Sequence, residues 1–242
     1  MFRIRFFRRA LFIFSLFSLM SLYAQSEQAK VEWINNNINL ATELSSSGRG
    51  INSSIIEALK KVPRHIFIDE TYSSIAYDNI SLPGSYGGFL ASPGDTLAAI
   101  GMLSPSSSDK ILIAGSNTGY PAAILSELAA EIYLIEETPA AGEYKSLFAE
   151  LGISNIRTSA KSDINAFSDI IAFDKIFICG AVSEVSEKLT ERLAIQGNMT
   201  FILAEEGGFQ QIVSLRRSLL GDSISCGGSC YFPEIKALRI TN

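Results

Sequence analysis

Ile111-Leu112-Ile113-Ala114-Gly115-Ser116-Asn117-Thr118-Gly119-Tyr120 is the stretch on which the fold turns. Lys110 to Ala114 reads as a short buried strand, because its apolar run is uninterrupted and rich in isoleucine. Gly115 opens a turn, and Gly119 to Ala129 reads as a helix with small residues. A strand, a glycine-containing turn and a helix in this order let a ligand approach the backbone and meet exposed helix N–H groups. Glu136 closes the next strand, where a carboxylate accepts hydrogen bonds from the two hydroxyls of a ribose. Gly115, Ser116, Asn117, Gly119 and Glu136 are thus candidates for holding a nucleoside-containing ligand. An ordinary strand-to-helix turn followed by a surface glutamate produces the same pattern.

On the C-terminal side, strands at Glu131 to Ile135, Asn155 to Thr158, Phe173 to Ile178 and Met199 to Ala204 alternate with helices at Ala140 to Leu151 and Glu184 to Leu193. That alternation predicts an α/β fold with a parallel sheet, right-handed crossovers and helices on both faces. Gln211 to Ile240 reads as strands and turns. On the N-terminal side, Val31, Ile34, Ile38, Ala41 and Leu44 keep a helical spacing. A second helix, Ile55 to Lys61, has Ser53 or Ser54 as its cap and Pro63 as its stop. Gly84 to Gly94 is a glycine-rich loop that leads into a helix at Asp95 to Leu103.

The chain of 242 residues suits one domain behind a short leader. The formal net charge is −5. Arg3, Arg5, Arg8 and Arg9 are concentrated at the start, so the rest of the chain is more acidic still. An acidic body repels phosphate backbones, which argues against a nucleic-acid partner. The cationic start, the apolar run Leu11 to Leu22 and the small Ala24 have the anatomy of a signal peptide over residues 1–24. The expectation is export, to the periplasm in a bacterium; the alternatives are an uncleaved membrane anchor or, if the leader is no signal, a cytoplasmic protein. Residues 25–108 form an N-terminal helical and loop region, residues 109–242 the core, and the two act as one domain, expected to be monomeric. Cys226-Gly-Gly-Ser-Cys230 reads as a disulfide made by a glycine turn in an oxidising compartment, or as two unrelated thiols. Cys179 reads as a buried thiol. A metal site is not expected, because His65 is the sole histidine.

Several runs resemble the protein-L-isoaspartate O-methyltransferase family, whose members carry VPRHxF, then AYxD, then a GQTISQP-like loop, then a VLEIGTGSGY-like motif. Val62-Pro63-Arg64-His65-Ile66-Phe67 matches the first intact, and Ala76-Tyr77-Asp78-Asn79 matches the second. Leu151 to Ile156 and Phe173-Asp174 match further, and the order holds from about Ile51 to Arg217. The resemblance implies a Rossmann-like methyltransferase fold with a mostly parallel seven-stranded sheet. It implies S-adenosylmethionine as methyl donor, and as acceptor the carboxylate of an L-isoaspartyl residue in damaged proteins or peptides.

The departures gather at the implied site. Gly87-Gly88-Phe89-Leu90-Ala91-Ser92-Pro93 stands where the family's loop is, with Phe89 at the threonine position and Ala91 at the serine position. Ser92, one step along, is the remaining hydroxyl and the catalytic candidate. Ile113 replaces an acid, Asn117 replaces a glycine, and Asp163 aligns with the family's Gly-Asp-Gly run only after a one-residue slip. Methyl transfer needs no strong base, because a carboxylate is already ionised at neutral pH. Loss of one hydroxyl is therefore tolerable, whereas loss of donor binding is not. These changes, with export away from the cytoplasmic donor supply, predict weak or absent transfer. An exported binding or scaffold protein of the same fold is the rival reading. A nicotinamide-dependent oxidoreductase is a third, which the VPRHxF and AYxD runs oppose. Arg64 is left between an anionic substrate and a nearby acid as partner. His65 is expected to pack and hydrogen-bond, and Phe67, Tyr72 and Tyr77 to join the core, the alternative being that they line a peptide groove.

Overall fold

The computed structural model describes residues 27–115, 119–136, 140–159 and 164–235. The leader, Ser116, Asn117 and Asp163 lie outside these ranges. Helix α1 runs over residues 27–45. It is followed by α2 (Ser53–Lys61), the short strands β1 (Leu82–Pro83) and β2 (Phe89–Leu90), and α3 (Pro93–Leu103). Then come β3 (Lys110–Gly115), α4 (Gly119–Ser126), β4 (Glu131–Glu136), α5 (Ala140–Glu150), β5 (Ile156–Ser159) and β6 (Phe173–Val182). The sequence of elements ends with α6 (Glu187–Glu191), β7 (Leu193–Ala204), β8 (Gln210–Arg216) and β9 (Ser223–Ser229).

Seven strands form one sheet in the order β5-β4-β3-β6-β7-β8-β9. β3 to β7 are parallel, β8 runs antiparallel to β7, and β9 runs antiparallel to β8. β3 is central, as its uninterrupted apolar run requires: Ile111 to Ala114 are all buried. Successive residues alternate between two apolar clusters. Ile111 and Ile113 join the cluster formed with α1 to α5, and Leu112 and Ala114 join the one containing Phe167, Leu189 and Leu193. Each fully buried Ile or Leu there contributes roughly 1.5–3 kcal/mol. The first cluster also contains Leu40, Leu44, Ile55 and Leu59, so the N-terminal helices share the core of the sheet.

Four local expectations are corrected. The cap of α2 is Asn52, whose side chain accepts from Ile55 N at 3.0 Å; Ser54 Oγ supports that cap by donating to Asn52 Oδ1 at 2.7 Å. The helix expected over Glu184 to Leu193 shrinks to Glu187–Glu191, because β6 continues to Val182 and Leu193 pairs with Phe173 to begin β7. Tyr72 is 38% exposed and is not core, while Phe67 is buried and Tyr77 packs against the first cluster. All three cysteines are free. Cys226-Gly227-Gly228-Ser229 does not turn back; it extends along β8, with Val213 opposite Cys226 and Gln211 opposite Ser229. Extension holds the Cys226 and Cys230 Cα atoms on the order of 10 Å apart, beyond the ~7 Å a disulfide spans. A Cβ at Gly227 would meet Met102 Sδ, so that flexible side chain would have to shift to admit one.

Candidate active site

The carboxyl ends of β4, β3 and β6 bring three residues into one row: Glu136 pairs with Gly115, and Gly115 pairs with Cys179. The row lies where the strand order reverses, between β3 and β6, which is where open α/β sheets bind ligands. Gly115 has φ 151°, a backbone region that excludes side chains, so its glycine is required. Glu136 is fully buried beside it. Gly119 begins α4 directly against Tyr144, and a Cβ there would collide with the Tyr144 ring. Of the residues expected to hold the donor, Gly115, Gly119 and Glu136 therefore stand at one end of the sheet. Ile113 is fully buried in the first apolar cluster, so the position of the missing acid is part of the core.

The motifs VPRHxF and AYxD bind each other. Arg64 is 0% exposed, and its guanidinium donates to the carbonyls of Ala76 at 2.7 Å, Asp78 at 3.2 Å, Ile80 at 2.8 Å and Ala91 at 3.4 Å. Neither an anionic substrate nor an acid is its partner, which corrects both sequence alternatives. A planar fork of donors is what four converging carbonyls require, and lysine has no such geometry. His65 Nδ1 and Tyr77 Oη lie 2.7 Å apart. Burial lowers the His65 pKa and raises that of Tyr77, so the pair stays uncharged at neutral pH. Asn79 completes the clip by accepting from Gly94 N at 2.8 Å. Together these contacts fix both ends of the segment Ala91 to Gly94.

Ser92 is the N-cap of α3, accepting from Asp95 N at 3.1 Å, with Pro93 in the first helical turn. Its oxygen is committed to the helix, which argues against the catalytic role expected for it. The adjacent cleft is lined by Phe89, Leu90, Ala91, Thr96, Tyr120, Pro121, Cys179, Phe232 and Pro233. Cys179 belongs both to this cleft and to the row with Gly115 and Glu136. Burial, with Glu136 adding to it, pushes the Cys179 thiol well above its ordinary range, so it stays protonated.

Sequence reasoning missed the last wall of the cleft. Residues 231–235 run back over the sheet: Ala181 N donates to Pro233 O at 3.0 Å, and Ile235 N donates to Ala181 O at 3.1 Å. Gln210 fastens Phe232 with two bonds, Nε2 to Phe232 O at 3.0 Å and Phe232 N to Oε1 at 2.7 Å. Gly180 makes room, since a Cβ there would collide with Ile235. The one local signal was Gly180 itself, a glycine inside an apolar strand, which marks a close approach. Among the described residues, no three His, Cys, Asp or Glu are grouped to hold a metal ion. No helix among them is long and apolar enough to cross a membrane.

Comparison with known proteins agrees with this geometry. Protein-L-isoaspartate O-methyltransferase 2 of Nitrosospira multiformis is 31% identical over 174 residues, which cover 70% of this chain and 81% of the relative. A second protein of that name, from Geotalea uraniireducens, is 31% identical over 185 residues, covering 74% and 85%. The fold is similar to that of a Plasmodium falciparum protein described as a putative protein-L-isoaspartate O-methyltransferase, solved in complex with S-adenosyl-L-homocysteine. The TM-score is 0.68 at 17% identity, covering 83% of this chain and 98% of that one. Residues 35–226 match the family described as Protein-L-isoaspartate(D-aspartate) O-methyltransferase, and the chain belongs to that family.

Proposed function

We propose that this protein transfers a methyl group from S-adenosylmethionine to the carboxylate of an L-isoaspartyl residue in a damaged polypeptide. The observation that carries this reading is the double membership of Cys179. It stands in register with Gly115 of the glycine turn and also lines the cleft with Ala91 and Tyr120. Donor side and acceptor side therefore share a wall, as direct transfer demands. The residues present fit the donor. Gly115 leaves its backbone open to a ligand, and Glu136 stands beside it as the acid for the ribose hydroxyls. When bound, the donor supplies an electrophilic methyl group on a sulfonium.

The chain's own residues position, and no base is required, because the acceptor carboxylate is ionised at neutral pH. The clip of Arg64, Tyr77 and Asn79 holds the acceptor loop in place, and alignment of this kind accounts for most of the rate enhancement available to a direct displacement. Apolar walls exclude water from a step in which two opposite charges cancel. The test is labelled-methyl incorporation into an isoaspartyl peptide, compared with its aspartyl twin. Incorporation into the first alone is expected; none at saturating donor would overturn the reading.

A second reading, a binding protein without transfer, is favoured by one feature: Phe89 and Ala91 stand where the resemblance places hydroxyls. It requires peptide binding with no methyl incorporation in the same assay. In either reading we propose, from the signal-peptide anatomy of residues 1–24, that the polypeptide partners lie outside the cytoplasm. A native N-terminus at Met1 would remove that part.

A further inference from the structure

The cleft beside Ala91 is poor in hydrogen-bond donors. Its walls Phe89, Leu90, Pro121, Phe232 and Pro233 are apolar, and the polar side chains among its lining are Thr96, Tyr120 and Cys179. Cys179 stays a thiol, a weak donor. Tyr120 differs from its neighbours. It is 1% exposed, and its hydroxyl has no hydrogen-bond partner. Buried hydroxyls without partners are rare in folded proteins, and each one calls for an explanation. The ring packs against Phe67, with centroids 5.7 Å apart, and the Arg64 guanidinium lies over it at 5.8 Å from its centre. Burial raises the Tyr120 pKa well above the usual phenol range, against the opposing pull of Arg64. The group is therefore a proton donor at any physiological pH. The Arg64 charge over the ring is bonded to backbone carbonyls, and its field favours an anion near the Tyr120 hydroxyl.

We infer that the Tyr120 hydroxyl is the donor that positions the acceptor carboxylate in this cleft, doing so where Phe89 and Ala91 offer none. The inference rests on the function proposed above and names the residue that makes an apolar cleft selective for a carboxylate. A carboxylate entering without a partner would be strongly disfavoured, and a phenol supplies a charge-assisted bond.

The experiment compares wild type with Tyr120→Phe, which removes the hydroxyl alone. Because that hydroxyl bonds nothing in the protein, the melting temperature is expected to hold or rise slightly. Affinity for S-adenosylhomocysteine is expected to be unchanged. KM for an isoaspartyl peptide should rise about ten- to a hundredfold, with a smaller change in kcat. Wild-type transfer with an unchanged KM in the variant overturns the inference and leaves the proposed function standing. A clear fall in melting temperature also overturns it, since the hydroxyl would then be bonded within the fold. If wild type transfers no methyl group, the proposed function fails and the inference is decided by binding. Thermal stabilisation by the isoaspartyl peptide that Tyr120→Phe abolishes supports it. Equal stabilisation in both chains, or none, overturns it.

Discussion

The clip made by Val62 to Phe67 with Ala76 to Asn79 and the loop it holds, Gly87 to Pro93, touch each other and are opposite in character. The clip concentrates polar bonds: one arginine reaches four carbonyls, a histidine meets a tyrosine, and an asparagine takes a helix N–H. The loop presents Phe89, Leu90 and Ala91 to its cleft and spends its serine on a helix cap. In sequence the clip keeps the family's residues almost unchanged, while the loop departs from them at Phe89 and Ala91. The shape of the acceptor site and its chemistry are thus held by different residues, and one can change while the other persists. That separation lets the donor to the acceptor move to Tyr120 without disturbing the backbone.

The comparison breaks most visibly at Arg64. Arg64→Met should destabilise the protein by about 3–5 kcal/mol, because four carbonyls lose their donor inside the fold. Urea denaturation measures it. Arg64→Lys should recover little, since one ammonium does not span the set. A loss below about 1 kcal/mol would show that the clip is not what holds the loop.

Gly119 tests whether the turn is shaped by packing. Gly119→Ala should cost about 1–3 kcal/mol through its collision with Tyr144. Combined with Tyr144→Leu, the two losses should fall short of additive by at least about 0.5 kcal/mol, measured by a double-mutant cycle. Full additivity would mean that Tyr144 is not the reason for the glycine.

Ser92→Ala should cost about 1 kcal/mol, the usual worth of an N-cap, and Ser92→Asn should recover most of it. Thermal unfolding reads both. If Ser92→Ala loses methyl transfer while stability holds, Ser92 belongs to the acceptor site after all.

The smallest effect is expected at His65. Burial lowers its pKa from the ordinary 6.5, so the unfolded chain binds this proton more readily than the folded one. The stabilisation is complete above about pH 6.5 and is lost as pH falls toward the depressed folded value. His65→Gln should flatten that part of the curve of melting temperature against pH. An unchanged slope would assign the dependence to other groups.

What the sequence determined by itself was the frame around the turn. Apolar runs and their periods located β3 to β6, α4 and α5 to within a few residues, because burial of a strand or a helix face is written in local spacing. The paired motifs identified the family for the same reason, being short and contiguous. Gly115 and Glu136 were legible from strand endings, and register then placed them side by side. Tertiary structure alone decided the rest. Arg64 found carbonyls from Ala76 to Ala91, Leu193 became a strand by pairing with Phe173, and Phe232 and Pro233 closed the cleft. Cys226 and Cys230 were separated by the pull of a neighbouring strand. Each of these depends on a partner distant in the chain, and the free energy of a contact between remote residues leaves no period in the sequence around either one.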